Sequence, residues 1–119
     1  MVGTGVLATS AVRETVGDHI VFRPVGLFRF KGVTQFQFVY EVVAPAERAD
    51  ESKVWREAFG NAWNIFAEQK WDQAEKAFKH VLEIKPEDGP SLYYLNHIAE
   101  FRVNPPPPDW RGQIILHEK

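Results

Sequence analysis

Apolar and polar positions alternate most regularly between His19 and Val43, in HIVFRPVGLFRFKGVTQFQFVYEVV. In Phe22–Phe30, Phe22, Phe28 and Phe30 share one parity and Arg23 and Arg29 the other. In Gln35–Val43, Phe36, Phe38, Tyr40 and Val42 share one parity, opposed by Gln35, Gln37 and Glu41. Aromatic and β-branched residues suit a pleated, half-buried surface. Period-two alternation on both sides of Lys31-Gly32-Val33-Thr34 therefore predicts a β-hairpin. Ahead of it, Gly5–Ala8 reads as a short strand. A short helix follows, capped by Thr9 or Ser10, running through Val16 and ended by Gly17.

The period changes to helical after Ser52. Trp55, Ala58, Phe59, Ala62, Ile65 and Phe66 form a stripe at i, i+3, i+4 and i+7 spacing, with Ser52 as N-cap. Past Gln69-Lys70 a second helix carries Trp71, Ala74, Phe78, Val81 and Leu82 on one face. Asp72-Gln73-Ala74-Glu75 resembles a capping box at its start, and Pro86 stops it near Ile84. Asp88-Gly89-Pro90 opens a third helix, with Leu92, Leu95, Ile98 and Ala99 expected to face inward. Pro105–Pro108 is extended polyproline II. Asp109-Trp110-Arg111-Gly112 is a turn and Gln113–Leu116 a last short strand. Pro105–Pro108 reads either as a ligand for a proline-binding domain or as a stiff spacer that lays Trp110 and Ile114–Leu116 back onto the helices.

Composition narrows the class. A chain of 119 residues is one domain, or a small domain with an appendage. A formal net charge of -2 argues against a nucleic-acid surface. The absence of cysteine excludes a disulfide framework and a cysteine-rich zinc site. No apolar run approaches membrane-spanning length, and Met1-Val2-Gly3 lacks the features of a signal peptide. A cytoplasmic protein is the expectation. His19, His80, His97 and His117 include no i, i+4 metal pair, and Gly3-Thr4-Gly5 is not a complete phosphate loop.

One family resemblance enters at Arg23-Pro24-Val25-Gly26, Lys31-Gly32 and Val39-Tyr40-Glu41-Val42. In that order these resemble the closing strands of the class III adenylate/guanylate cyclase catalytic domain, with GTGVLATSAVRETVGD resembling the strand and short helix just before them. The ending Asn104-Pro105-Pro106-Pro107-Pro108-Asp109-Trp110-Arg111-Gly112 is similar to the end of some bacterial cyclases. The resemblance implies conversion of ATP or GTP to a cyclic nucleotide and pyrophosphate. It implies Mg²⁺ or Mn²⁺ held by two aspartates, with an asparagine and an arginine at the ribose and α-phosphorus. All four lie upstream of the matching segment, so catalytic residues in this chain are none, and no cofactor is expected in the fragment itself. The lysine that meets the terminal phosphates falls on Lys31. An upstream catalytic domain and a second cyclase protomer are implied as partners. The chain is then expected to be a C-terminal fragment, inactive alone.

The helical part resembles a tetratricopeptide repeat. Trp71, Ala74, Phe78 and Pro86 fall at that motif's spacing and Ala62 at the helix crossing, whereas Ala58, Ile65 and Val81 depart from it. An isolated repeat cannot bury its own face, so the third helix, tail and hairpin cover it, or a partner does.

The expected fold is α+β and mainly helical: a short β-hairpin region, a three-helix tetratricopeptide-like unit, and an extended C-terminal tail. The expected divisions are 1–44 for the incomplete cyclase strands, 45–51 for a linker and 52–119 for the helical module. Lys31, read without the family, is a solvated turn lysine. Arg23 and Arg29 read as exposed strand faces, with an anion site as the alternative. Trp63 lies off the helical stripe. It and Trp110 are candidate protein-interaction residues, since exposed tryptophans are frequent hot spots, while the other reading has Trp63 packed beneath the tail or hairpin. A non-enzymatic tetratricopeptide-type scaffold binding a protein or peptide is the alternative function.

Overall fold

The structure is a computed structural model that describes residues 7–30 and 34–116, with Phe30 and Leu116 described as backbone only. The fold is α+β and mainly helical. Strand β1 (Leu7–Thr9) leads directly into helix α1 (Ser10–Val16), closed by Gly17. Strands β2 (Ile20–Phe30) and β3 (Gln37–Pro45) pair antiparallel, and β1 pairs antiparallel with the far side of β3. Strand β4 (Gln113–Leu116) returns from the end of the chain and lies parallel to β2. The sheet order is β1-β3-β2-β4.

The β2–β3 register slips twice, between Val21 and Phe22 and between Pro24 and Gly26. At the second slip Val25 is the extra residue, because Pro24 faces Tyr40 and Gly26 faces Val39. A bulge of this kind shifts the alternation of the strand by one. Arg23, Val25 and Phe28, of mixed parity in the sequence, are consequently all buried. The expected exposed placement of Arg23 is thereby corrected: its side chain is 1% exposed.

After a 3₁₀ segment at Ala46–Glu51 come α2 (Lys53–Ala67), α3 (Trp71–Ile84) and α4 (Gly89–Val103). Helix α2 buries Phe59, Ala62 and Phe66, and α3 buries Ala74, Phe78 and Val81, as their stripes require. Ser52 precedes α2 without a side-chain capping bond, and α3 starts at Trp71 rather than with a capping box at Asp72. Asp88 does cap α4: its Oδ2 accepts from the Ser91 amide at 3.3 Å and the Ser91 hydroxyl at 2.7 Å.

The inward face of α4 differs from the expected one. Pro90, Ser91, Tyr94 and Ile98 are buried, while Leu92 is 45% exposed and Ala99 is also outside. Leu92-Tyr93-Tyr94-Leu95 offers apolar bulk in every direction, so periodicity leaves the phase open. Polar partners for Tyr94 settle it. Its hydroxyl donates to the Val25 carbonyl at 2.8 Å and accepts from the Trp63 indole at 3.3 Å, meeting the need of a buried hydroxyl for partners.

Sheet and helices share one core. Val25, Phe28 and Val39 of the sheet belong to the same cluster as Phe59, Phe66, Phe78, Tyr94 and Trp110. Phe66 is at its centre, with ring centroids of Tyr94 at 4.8 Å, Trp110 at 5.2 Å and Trp71 at 5.7 Å. Edge-on aromatic packing of this sort adds about 0.5–1.5 kcal/mol per pair beyond area burial. The proline-rich tail brings Trp110 onto the helices, but it delivers Ile114 to the sheet edge.

Candidate functional site

The hairpin and the helical layer meet at Arg23. The bulge turns this side chain toward α2, where its guanidinium carbon lies 4.7 Å from the Trp55 ring centroid and 4.6 Å from that of Phe59. Nη1 donates to Asp88 Oδ2 at 2.8 Å, and Nη2 pairs with Glu41 Oε1. Glu41 is the cross-strand neighbour of Arg23 in the β2–β3 ladder, so one strand register aligns the first pair. The Asp88 cap aligns the second. Arginine suits this position because its planar fork serves two carboxylates while its faces stack on aromatic rings.

Asp88 feels opposing influences. Burial pushes its carboxyl up, but the hydrogen bonds and charge of Arg23, the Ser91 hydroxyl and Lys85 outweigh burial and hold it below the ordinary aspartate value. Lys85 Nζ stands 3.6 Å from the other carboxylate oxygen. The Tyr94 hydroxyl is raised, mainly by burial. Both groups keep their charge states at neutral pH, Asp88 ionised and Tyr94 neutral, which fits anchors rather than proton carriers.

Close approach of sheet and helix is enforced at Gly26. A Cβ there would overlap the Tyr94 hydroxyl oxygen and lie 3.0 Å from the Phe28 ring. On the opposite flank, Gly112 has φ +97°, and a Cβ there would meet the Trp63 ring at 2.7 Å. Trp63 is thus half-buried, packed beneath the tail and edge-on to Phe38 at 5.9 Å. Trp110 is buried, its indole donating to the Gln113 carbonyl at 2.7 Å. Both tryptophans pack against other parts of the chain, Trp63 on Phe38 and Trp110 on Phe66.

Lys31, the residue expected to meet phosphate, lies outside the described residues. Arg29 is described, and its guanidinium lies over Phe36 at 5.5 Å from the ring centroid. Among the described residues no group of three His, Cys, Asp or Glu side chains is placed to hold a metal ion. What the arrangement does chemically is mechanical. It fixes the two long strands against the helices through one buried charge cluster and one buried tyrosine. Asp88 was legible in the sequence only as a helix opener. The signal for its second role is Arg23 itself, a charge between Phe22 and Pro24 in the most apolar run of the chain.

Comparison with protein families, curated proteins and solved structures finds no match to this chain. No described helix is long and apolar enough to cross a membrane.

Proposed function

We propose that the chain is the C-terminal segment of a cytoplasmic class III adenylate or guanylate cyclase, in which the helical module braces the closing hairpin of the catalytic domain. One observation carries this reading. The described residues of the closing-strand resemblance form a coherent unit: a strand and short helix run into two long antiparallel strands, and Arg23 and Glu41, from its first and last motifs, are paired across them.

In the intact enzyme Lys31 contacts the terminal phosphates of ATP or GTP. Mg²⁺ or Mn²⁺ would be held by aspartates outside these 119 residues, and a second protomer completes the site. The helical module acts as a rigid brace through Arg23–Asp88 and Tyr94–Val25. A scaffold that binds its partner on the inner faces of α2 and α3 is less well supported. Those faces are already covered by Tyr94, Trp110 and the sheet.

The test is a nucleotide assay on the intact protein with Mg²⁺ or Mn²⁺. Cyclic nucleotide and pyrophosphate are the expected products. Lys31→Ala should raise the nucleotide KM by about tenfold or more, as expected for losing a charge-assisted contact. The 119-residue chain alone should make none. An intact protein without cyclase activity would overturn the reading, and so would activity in the isolated chain.

A further inference from the structure

Strand β4 ends the sheet, so no strand pairs with its outer side among the described residues. An edge strand presents a row of backbone donors and acceptors, and folded proteins commonly blunt it with charge, proline or a covering element. The sequence of β4, Gln113-Ile114-Ile115-Leu116, contains no such device. Ile115 is 43% exposed.

A cleft of about 590 Å³ lies against this strand. Gln113, Ile114 and Ile115 all contribute to its wall. Successive residues of a strand point to opposite faces, so a cleft touching three in a row follows the strand's edge rather than one face. Phe101 and Trp110 also line the cleft, packed together at 5.2 Å between ring centroids.

The charge of the cleft is one-sided. Glu100 and Asp109 line it, both exposed, and neither has an ion-pair partner among the described residues. Among the described residues no lysine or arginine lines it. The nearby Arg111 donates to the Pro108 and Trp110 carbonyls, and Arg102 is held by Asp72 and Glu75. Arg29 stacks over Phe36 at the rim. His97 also lines the cleft, and burial holds its pKa below the usual imidazole value, against the opposing pull of Glu100. Among the described residues the charged groups of the lining are therefore negative at neutral pH.

The strand is also preset. Its first residue accepts the Trp110 indole at its carbonyl and the Arg111 amide at its side chain, the latter at 2.6 Å. A fixed edge reduces the ordering cost of adding a further strand.

We propose that the outer edge of β4 is a docking site for an extended segment of another protein, one that alternates apolar and basic residues. The segment adds a strand to β4 by backbone hydrogen bonds. Its apolar side chains enter the cleft against Phe101 and Trp110, and its basic side chains meet Glu100 and Asp109. Main-chain pairing supplies affinity and the side-chain pockets supply selectivity, as in other strand-addition sites. This does not depend on the cyclase reading.

The test uses the full chain and a fluorescent eight-residue peptide of alternating valine and lysine with blocked ends. Two controls accompany it: the same peptide with glutamate for lysine, and the lysine peptide N-methylated at alternate residues. Saturable binding of the lysine peptide alone is expected, with amide NMR shifts at Gln113–Leu116. Glu100→Lys with Asp109→Lys should weaken it about tenfold, since rim charges tune such encounters. Both sites are exposed, so the variant should keep its fold, and circular dichroism checks this. Equal binding of the glutamate or N-methylated peptide would overturn the proposal, as would shifts remote from β4. Concentration-dependent dimerisation through β4 without peptide would assign the edge to a second copy instead.

Discussion

Two arginines in this protein each hold two carboxylates, and they do different work. Arg23 bridges Glu41 and Asp88 between sheet and helix, with 1% of its side chain exposed. Arg102 bridges Asp72 and Glu75 between α4 and α3 with hydrogen bonds of 2.7 and 2.8 Å, and 37% of its side chain exposed. Bond lengths do not separate them. Solvent does. Water can replace the partners of Arg102 almost without loss, and salt screens what remains. At Arg23 water is excluded, so removing one partner strands a buried charge. The number of ion pairs therefore says little here, and their placement at a layer boundary says much.

The sharpest way to break the comparison is Arg23→Met. It should destabilise the fold by about 3–5 kcal/mol, because Asp88 is left buried without its main counter-charge. Urea unfolding of Arg23→Met, of Asp88→Leu and of the double variant gives the check. The double variant should recover part of the loss, since a buried pair can be replaced by apolar groups of similar size. A double variant as unstable as the sum of the singles would show that the pair is not acting as a unit.

Next in size is Gly26→Ala, at about 1–3 kcal/mol. The new methyl would collide with the Tyr94 hydroxyl and break its bond to the Val25 carbonyl. Combining it with Tyr94→Phe relieves part of the clash and should cost less than the two changes added together. Thermal melts of the three variants test this.

Acid sharpens the contrast further. The Asp88 carboxyl is held below its ordinary value of 3.8 in the folded protein. Its contribution is therefore complete above that unfolded value and is lost as pH falls through the lower folded one. Stability measured from pH 5 down to pH 2 should fall in the parent, and Asp88→Asn should lack that part of the slope. His97 acts at higher pH. Burial holds its folded value below 6.5, so the unfolded chain takes up a proton that the folded chain refuses. Stability should decline modestly as pH drops below about 6.5, and His97→Gln should flatten that decline.

Smallest of all is Arg102→Ala. Its urea midpoint should match the parent closely at moderate salt, despite two short hydrogen bonds lost. A large drop for Arg102→Ala, or a small one for Arg23→Met, would erase the distinction between the two sites.

The sequence alone determined a good deal. The stripes on α2 and α3 picked out Phe59, Ala62, Phe66, Ala74, Phe78 and Val81, because one face of each helix is apolar and the other is not. The two long strands of the hairpin, the stop at Pro86 and the opening at Asp88-Gly89-Pro90 follow from local chemistry: alternation, a missing amide hydrogen, a side-chain cap. These are properties of a few consecutive residues, and no distant partner is needed to read them.

Tertiary structure decided the rest, and above all the junction. The alternation of β2 gave Arg23 the opposite face from Phe28, and the bulge at Val25 put both inside. Nothing in the local pattern marks that extra residue, because a bulge is defined by the strand opposite. The phase of α4 was likewise settled by the Val25 carbonyl and the Trp63 indole rather than by its own evenly distributed apolar residues. The parallel pairing of β4 with β2 joins residues more than eighty positions apart. Such choices depend on which polar group finds a partner once water is gone, and that is known only when the layers have met.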